Sequence, residues 1–206
     1  MRNEQTLRDD IAFLRALAEG SGSGASREGA VLLAVGVIFG LVALEYWLAE
    51  TGAVAALRSF RTWLWLDGLV PFLLVNLLIS RRWREQTSGP ASRALSAAWA
   101  GVGVAHVVAA LALALAGRRL GLPLLAAWAF PVVLFTLIGA TWGVAFAVRR
   151  RGLWGVVAAG SFAAAILCGA VMGRPVEWLV LAAGLLVLVG FPGAVILKSG
   201  RRPSGS

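Results

Sequence analysis

This chain of 206 residues is poor in the side chains that carry most protein chemistry. It has one cysteine, Cys168, one histidine, His106, and one lysine, Lys198. A single cysteine excludes a disulfide within the chain, and one cysteine with one histidine excludes the usual zinc-ligand sets. The sequence also lacks a phosphate-binding loop and a recognisable pair of nucleophile and base. We therefore expect a protein that is not an enzyme and that uses no metal or cofactor.

Charge is scarce as well, and apolar residues dominate. Charged residues make up 14% of the chain and hydrophobic residues 59%, with a mean hydropathy of +0.82. This is too apolar for a soluble domain of this size. The apolar runs do not alternate, so they predict membrane-spanning helices rather than barrel strands. We predict an all-α transmembrane bundle of six spans, at about 30–49, 62–80, 95–116, 122–148, 152–173 and 177–197.

The distribution of arginine predicts the orientation of these spans. The N-terminal segment, the loops after the second and fourth spans and the C-terminal tail hold 14 of the 19 basic residues, and the other three loops hold 5. Basic loops face the cytoplasm, so both termini are predicted there. Topogenic charge next to anionic lipid also explains the net charge of +9 without nucleic acid as a partner. A composition rich in arginine, alanine and glycine favours a bacterial inner (plasma) membrane.

The N-terminal segment is predicted to form a short cytosolic helix. It contains five acidic residues and no early apolar core, so it does not read as a signal peptide. Thr6 and Asp9 fit a capping box, and Gly20 fits a helix stop. Ser21 to Ser26 has the composition of a flexible linker. The expected units are residues 1–28 for the helix and linker, 29–198 for the transmembrane domain and 199–206 for a disordered tail.

One face of this predicted helix is apolar and forms a candidate partner-binding stripe. Its members recur at helical spacing: Leu7, Ile11, Phe13, Leu14 and Leu17. Two interpretations stay open: the helix lies on the membrane or on the cytoplasmic loops, or it docks into a groove of a cytosolic protein. Its mixed charges favour a protein contact, within the chain or outside it.

Small residues predict where helices pack closely. Three G-x-x-x-G pairs lie in the first, fourth and fifth spans: Gly36 and Gly40, Gly139 and Gly143, Gly169 and Gly173. Small residues let helix backbones approach each other in lipid. These pairs are expected to pack within the monomer, with a homo-oligomer as the alternative.

Prolines and tryptophans within or near the spans have common structural explanations. Pro131 and Pro192 lie inside predicted spans and are expected to kink their helices. Tryptophans gather near the span ends, with Trp99 and Trp154 on the cytoplasmic side. We expect them to form an aromatic belt at the membrane boundary.

Three ionisable side chains within the spans form a candidate polar membrane site: Glu45, Asp67 and His106. Glu45 and Asp67 lie near the same end of two consecutive antiparallel helices. Glu45 is on the face of the first span opposite Gly36. Such groups often mark ion or proton pathways. Alternatively, the two carboxylates pair with arginines 58 and 61 of the joining loop, and His106 donates a hydrogen bond to a neighbouring helix.

The segment Asp10 to Gly20 (DIAFLRALAEG), followed by a span with Gly36 to Gly40 (GVIFG), resembles the opening of small uncharacterised six-span bacterial inner-membrane proteins. The resemblance covers about the first fifth of the chain and implies no activity. The layout of a cytosolic helix and six spans is also similar to that of some membrane-bound inhibitors of transcription factors. We expect a regulatory or accessory membrane subunit that presents its N-terminal helix to a partner. The alternative is a small transporter or channel component.

Overall fold

All the secondary-structure elements in the described part of the chain are helices. The computed structural model describes the backbone of residues 2–54, 64–82, 90–122 and 124–199, and the side chains of 27–54, 67–82, 95–122 and 124–199. The helices are α1 (Arg2–Thr51), α2 (Leu64–Arg82), α3 (Pro90–Leu120), α4 (Leu125–Arg149), α5 (Gly152–Ala170) and α6 (Val176–Leu185), which continues through a π-helical segment (Leu186–Gly190) into α7 (Phe191–Ser199). No strand occurs in these ranges, so the all-α prediction is confirmed.

Several helices have the length and composition of membrane spans. Among the described residues there are five such stretches, at Arg27–Thr51, Leu95–Leu120, Leu125–Arg149, Gly152–Ala170 and Val176–Ser199. The last of these, formed by α6, the π-helical segment and α7, is called the last span below. The remaining predicted span coincides with α2, whose side chains are described from Asp67 onward. The sixth span therefore stays a prediction.

The outer surface of α3 is apolar, as a lipid-facing surface should be. Val104, Val107, Leu111 and Leu115 are each more than 60% exposed, and only 6% of the span is buried. Proteins in water rarely expose a continuous apolar face of this kind, because burying it is favourable. The face suits acyl chains, and it supports the conclusion that this is a membrane protein.

α1 lies against the last span along a seam of glycines. A Cβ atom added at Gly29 would stand 2.5 Å from the backbone nitrogen of Leu197, and one at Gly36 would stand 2.8 Å from the carbonyl oxygen of Leu185. Gly190 and Gly193 meet α1 from the other side. The two helices run antiparallel, so Gly29 and Leu197 share one end of the bundle. Glycine is needed here because backbone packs directly on backbone.

The last span continues as helix past Pro192. In an α-helix the carbonyl of Leu188 accepts the N–H of residue 192, which proline does not have. The indole Nε1–H of Trp142 in α4 donates to that carbonyl at 3.1 Å instead. The π-helical segment ends at Gly190, two residues before the proline. The helix therefore continues to Ser199, with its freed acceptor satisfied by a neighbour.

Trp154, which was predicted for the cytoplasmic belt, lies in the core instead. Trp142 and Trp154 are 1% and 3% exposed and stack with ring centroids 5.0 Å apart, and Trp99 meets the edge of Trp142 at 5.1 Å. The belt assignment of Trp154 was therefore wrong, whereas Trp99 is half-buried and its assignment stays a prediction. The turn between α4 and α5 is short, and it folds Trp154 back onto α4.

α1 is longer than predicted and contains the expected linker. It begins at Arg2, so Thr6 lies inside the helix rather than capping it, and the stretch Ser21 to Ser26 is helical. Glycine costs about 1 kcal/mol relative to alanine in a helix interior, so this stretch is helical against its local propensity, as an extension of the adjoining apolar span. The N-terminal segment is thus joined to the first span without a break in the backbone helix.

Candidate functional site

Glu45 in α1 and Asp67 in α2 lie on two helices that pack against each other. The two helices pack through Phe39 and Phe72, whose ring centroids are 5.5 Å apart, and Gly68 lies against Phe39. The carboxylates are close enough to interact electrostatically. Glu45 lies on this face, whereas Gly36 faces the last span, as the helical wheel predicts.

One carboxylate oxygen of this pair is buried without a visible partner. Oε2 of Glu45 accepts no hydrogen bond from any residue that the structure describes. The predicted partners, arginines 58 and 61, lie outside the described residues. Burying an unpartnered carboxylate is costly, so this oxygen is a place where a cation, a proton or an arginine would be stabilising.

His106 makes its contacts elsewhere, between α3 and α4. Its Nε2 lies 3.3 Å from the carbonyl oxygen of Leu134, and its ring meets the edge of Phe130 with centroids 6.0 Å apart. Because a carbonyl only accepts, this contact requires the proton on Nε2. His106 is thereby held as a hydrogen-bond donor between two helices, and its contacts do not join it to Glu45 and Asp67.

A second acidic site, at Glu177, was not anticipated from the sequence. Glu177 is only 2% exposed, and its Oε2 accepts the backbone N–H of Gly173 at 2.7 Å. Its Oε1 is buried without a hydrogen-bond partner in the described part of the chain. The sequence signal was an acidic residue in the first turn of a helix, which stabilises the helix dipole. Glu177 is the first residue of the sixth predicted span.

Next to Glu177 is an open cleft of about 170 Å³, called the tryptophan cleft. The residues that line it come from α1, from α4 with the turn before it, and from α6 with the turn before it: Glu50, Leu124, Trp128, Gly173, Arg174, Pro175 and Trp178. Trp178 also stacks on Tyr46, with ring centroids 4.6 Å apart. The cleft therefore brings acidic, basic and aromatic groups together at one end of the bundle.

The opposite end of the bundle holds a buried ion pair that joins distant parts of the chain. Arg149 Nη2 in α4 lies 3.1 Å from Glu28 Oε2 in α1, and the Ser96 hydroxyl of α3 donates to Glu28 Oε1 at 3.3 Å. Glu28 is 9% exposed. The guanidinium of Arg149 also lies 6.0 Å from the ring centre of Trp154. Three helices are thus tied together where α1 enters the bundle.

The predicted packing glycines occupy different environments. Gly36 and Gly40 lie in the glycine seam, and Gly139 lies against the Phe162 ring of α5. Gly143 has nothing within 4 Å of a Cβ position, and at Gly169 the nearest neighbouring atom is 3.9 Å from that position, in Val132. For Gly143 and Gly169 the structure thus differs from the close packing that we expected within the monomer.

Gly173 has a different role from the one predicted. α5 ends at Ala170, and Gly173 lies in the following turn with φ +76°. This conformation favours glycine because other residues meet a steric penalty there. Its G-x-x-x-G match with Gly169 is therefore not a helix-packing motif.

The side chains of the candidate partner-binding stripe (Leu7, Ile11, Phe13, Leu14 and Leu17) lie outside those that the structure describes. Their backbone belongs to α1. The stripe remains a prediction.

The described residues contain no group of three or more histidine, cysteine or acidic side chains that could hold a metal ion. Comparison with protein families, with curated proteins and with solved structures finds no match to this chain.

Proposed function

We propose that this protein is a regulatory or accessory subunit of a bacterial inner membrane, with six spans and both termini in the cytoplasm. The positive-inside pattern of its arginines supports this orientation. The antiparallel packing of α1 on the last span is consistent with termini on one side. In this proposal the partner-binding surface is the apolar stripe on the N-terminal part of α1, and the partner is a cytosolic protein.

The observation that carries the proposal is the continuity of α1. The helix runs from Arg2 to Thr51, so at ~1.5 Å per residue its part before the first span is about 37 Å long. That length offers several turns for docking by the helix-in-groove mode. A rigid connection would transmit a force or rotation on this segment to the seam and to the ion pair of Glu28 and Arg149.

Co-purification from native membranes tests the proposal. The full chain is compared with a variant in which Leu7, Ile11 and Leu14 are replaced by serine, and with a matched control in which Arg8, Arg15 and Glu19 on the opposite face are replaced by glutamine. We expect a near-stoichiometric cytosolic partner that is lost from the serine variant and kept by the control. Recovery of all three proteins without a partner, or equal recovery of the partner by all three, would contradict the proposal.

A transporter or channel component is the second candidate. It is favoured by Oε2 of Glu45, which has no hydrogen-bond partner among the described residues, and by the electrostatic interaction of Glu45 with Asp67. The close contact between α1 and the last span at Gly29 and Gly36 argues against a path along that seam. This candidate predicts that Glu45→Gln and Asp67→Asn each abolish ion flux in proteoliposomes. Unchanged flux in both variants would eliminate it.

A further inference from the structure

The helices fall into two groups that pack closely within themselves. Among the described residues, α3, α4 and α5 pack side by side and are called the α4 group. In the same part of the chain α1 packs on α2 and on the last span, and these are called the α1 group. Backbone contacts between the two groups are sparse in the described ranges. Each group therefore has the packing of a single body that can turn against the other.

In the middle of the bundle the two groups meet through side chains. The ring of Phe135 in α4 lies over Gly184 of α6, and Leu188 lies over Gly160 of α5. The indole of Trp142 also donates across the interface, to the carbonyl of Leu188. A ring or a leucine end can turn over a glycine, whereas the packed backbones of the seam between α1 and the last span cannot. This interface therefore permits a small rotation that the seam does not permit.

At one end of the interface the two groups are joined by a short turn of the chain. The turn 171–175 links α5 to α6, so the helix ends at Ala170 and Val176 stay close together. Within the turn, Gly173 donates its N–H to Oε2 of Glu177 at 2.7 Å, and Glu177 is buried. A braced turn of this kind holds the two groups together at the Glu177 end.

At the other end a polar clasp crosses the interface. It consists of Glu28 from the α1 group with Ser96 and Arg149 from the α4 group, at 3.3 Å and 3.1 Å. Lipid tails are as apolar as leucine, so separating apolar side chains in a membrane has no hydrophobic cost. Separating a buried carboxylate from its counterion is costly. The clasp is therefore the contact that favours closure at the Glu28 end.

We propose that the two groups form a hinged pair, with the turn 171–175 as the hinge and the clasp as the lock. The structure shows the closed state. Breaking the clasp lets the Glu28 end open by rotation of one group against the other, while each group keeps its internal packing. The lock is on α1, the helix that continues to Arg2. The opening goes beyond the proposed function because it requires no partner.

Distances between pairs of spin labels test the hinge. They are measured by pulsed electron paramagnetic resonance on the full chain in lipid, without any partner. Cys168 is buried and is replaced by alanine in every protein, so that only introduced cysteines carry labels. Three pairs of exposed positions are labelled in separate proteins: Leu153 with Lys198 across the interface at the Glu28 end, Leu115 with Leu179 across it at the Glu177 end, and Ala100 with Leu153 within the α4 group.

Glu28→Gln and Arg149→Gln each break the clasp. We expect both to raise the population with a longer distance between positions 153 and 198 roughly tenfold or more, because a hydrogen bond to a charged group is lost. The distance between positions 115 and 179 should change less, since this pair is near the hinge. Arg151→Gln is the matched control, because Arg151 is an exposed arginine at the same end and outside the clasp. It should behave like the unchanged chain.

Three results would overturn the proposal. The first is an unchanged distance between positions 153 and 198 in both clasp variants. The second is equal lengthening at the Glu177 end, which would show separation without a hinge. The third is equal lengthening within the α4 group, which would show unfolding rather than opening. Because these measurements contain no partner, they are independent of the co-purification result, and failure of one proposal is distinguishable from failure of the other.

Discussion

Replacing Gly36 with alanine is expected to force α1 away from the last span. The added Cβ would stand 2.8 Å from the carbonyl oxygen of Leu185, and closer still to the backbone of Gly190. These are backbone atoms, which cannot turn aside as a flexible side chain can. An ordinary contact begins near 3.4 Å, so the helices must separate by about 0.6 Å or more.

The cost follows from the dispersion contacts that this separation weakens. If the seam engages roughly 50 atom pairs at about 0.15 kcal/mol each, a gap of this size removes about a quarter of their attraction. The expected loss is about 2 kcal/mol, which changes the ratio of folded to unfolded protein roughly 30-fold. Alanine also raises helix propensity by up to about 1 kcal/mol relative to glycine, and this gain partly masks the loss.

Gly143→Ala is the matched control because it shares the propensity gain without the clash. Gly143 also belongs to a G-x-x-x-G pair, but no atom of the described residues lies within 4 Å of its Cβ position. The only cysteine, Cys168, is buried, so labelling by a thiol-reactive dye during heating reports unfolding. Gly36→Ala should unfold at a clearly lower temperature than Gly143→Ala. Equal unfolding temperatures would refute the backbone seam.

Two further predictions concern hydrogen bonds and charge within the bundle. Trp142→Phe leaves the carbonyl of Leu188 without its indole donor and should cost about 1–3 kcal/mol of stability. In a Pro192→Ala background the cost should be smaller, because residue 192 regains an N–H that can donate to this carbonyl. Thermal unfolding of the unchanged protein, the two single variants and the double variant measures the difference between the two costs. Glu28→Gln removes the counterion of Arg149, which is 25% exposed, and should cost about 1–3 kcal/mol. Arg149→Gln should add little to Glu28→Gln in the double variant, and strictly additive losses would show that the pair is not coupled.

The helical architecture could be predicted from the sequence because lipid leaves apolar runs of this length little alternative to helix. The all-α class and the predicted positions of the apolar helices agree with the structure to within a few residues at most ends. The largest departures are the early start of α1 at Arg2 and of α3 at Pro90. Both concern polar flanks, where composition favours coil but helix continues from the apolar span.

The contacts between helices could not be predicted, because they depend on which faces meet. Glu28 and Arg149 are 121 positions apart, and nothing local marks Glu28 as buried. Trp154 has the residue type and the position along the chain that are typical of an aromatic belt. The short turn before α5 nevertheless directs its side chain into the core. The G-x-x-x-G pattern occurs three times within the predicted spans, but of these pairs only the one in α1 has a backbone neighbour among the described residues. Gly190 and Gly193, which complete the seam, do not fit the pattern.

The π-helical segment of the last span is a place where the helix accommodates one extra residue. A π-helical turn closes with hydrogen bonds five residues apart, whereas an α-helical turn closes with hydrogen bonds four residues apart. Removing one residue between Leu186 and Gly190 should therefore convert the segment to α-helix and leave Gly193 against α1. The same deletion within α6 would turn the following helix by about 100° and take Gly193 away from α1. Val187 is 60% exposed, so related sequences could differ here by one residue in length as well as in residue type.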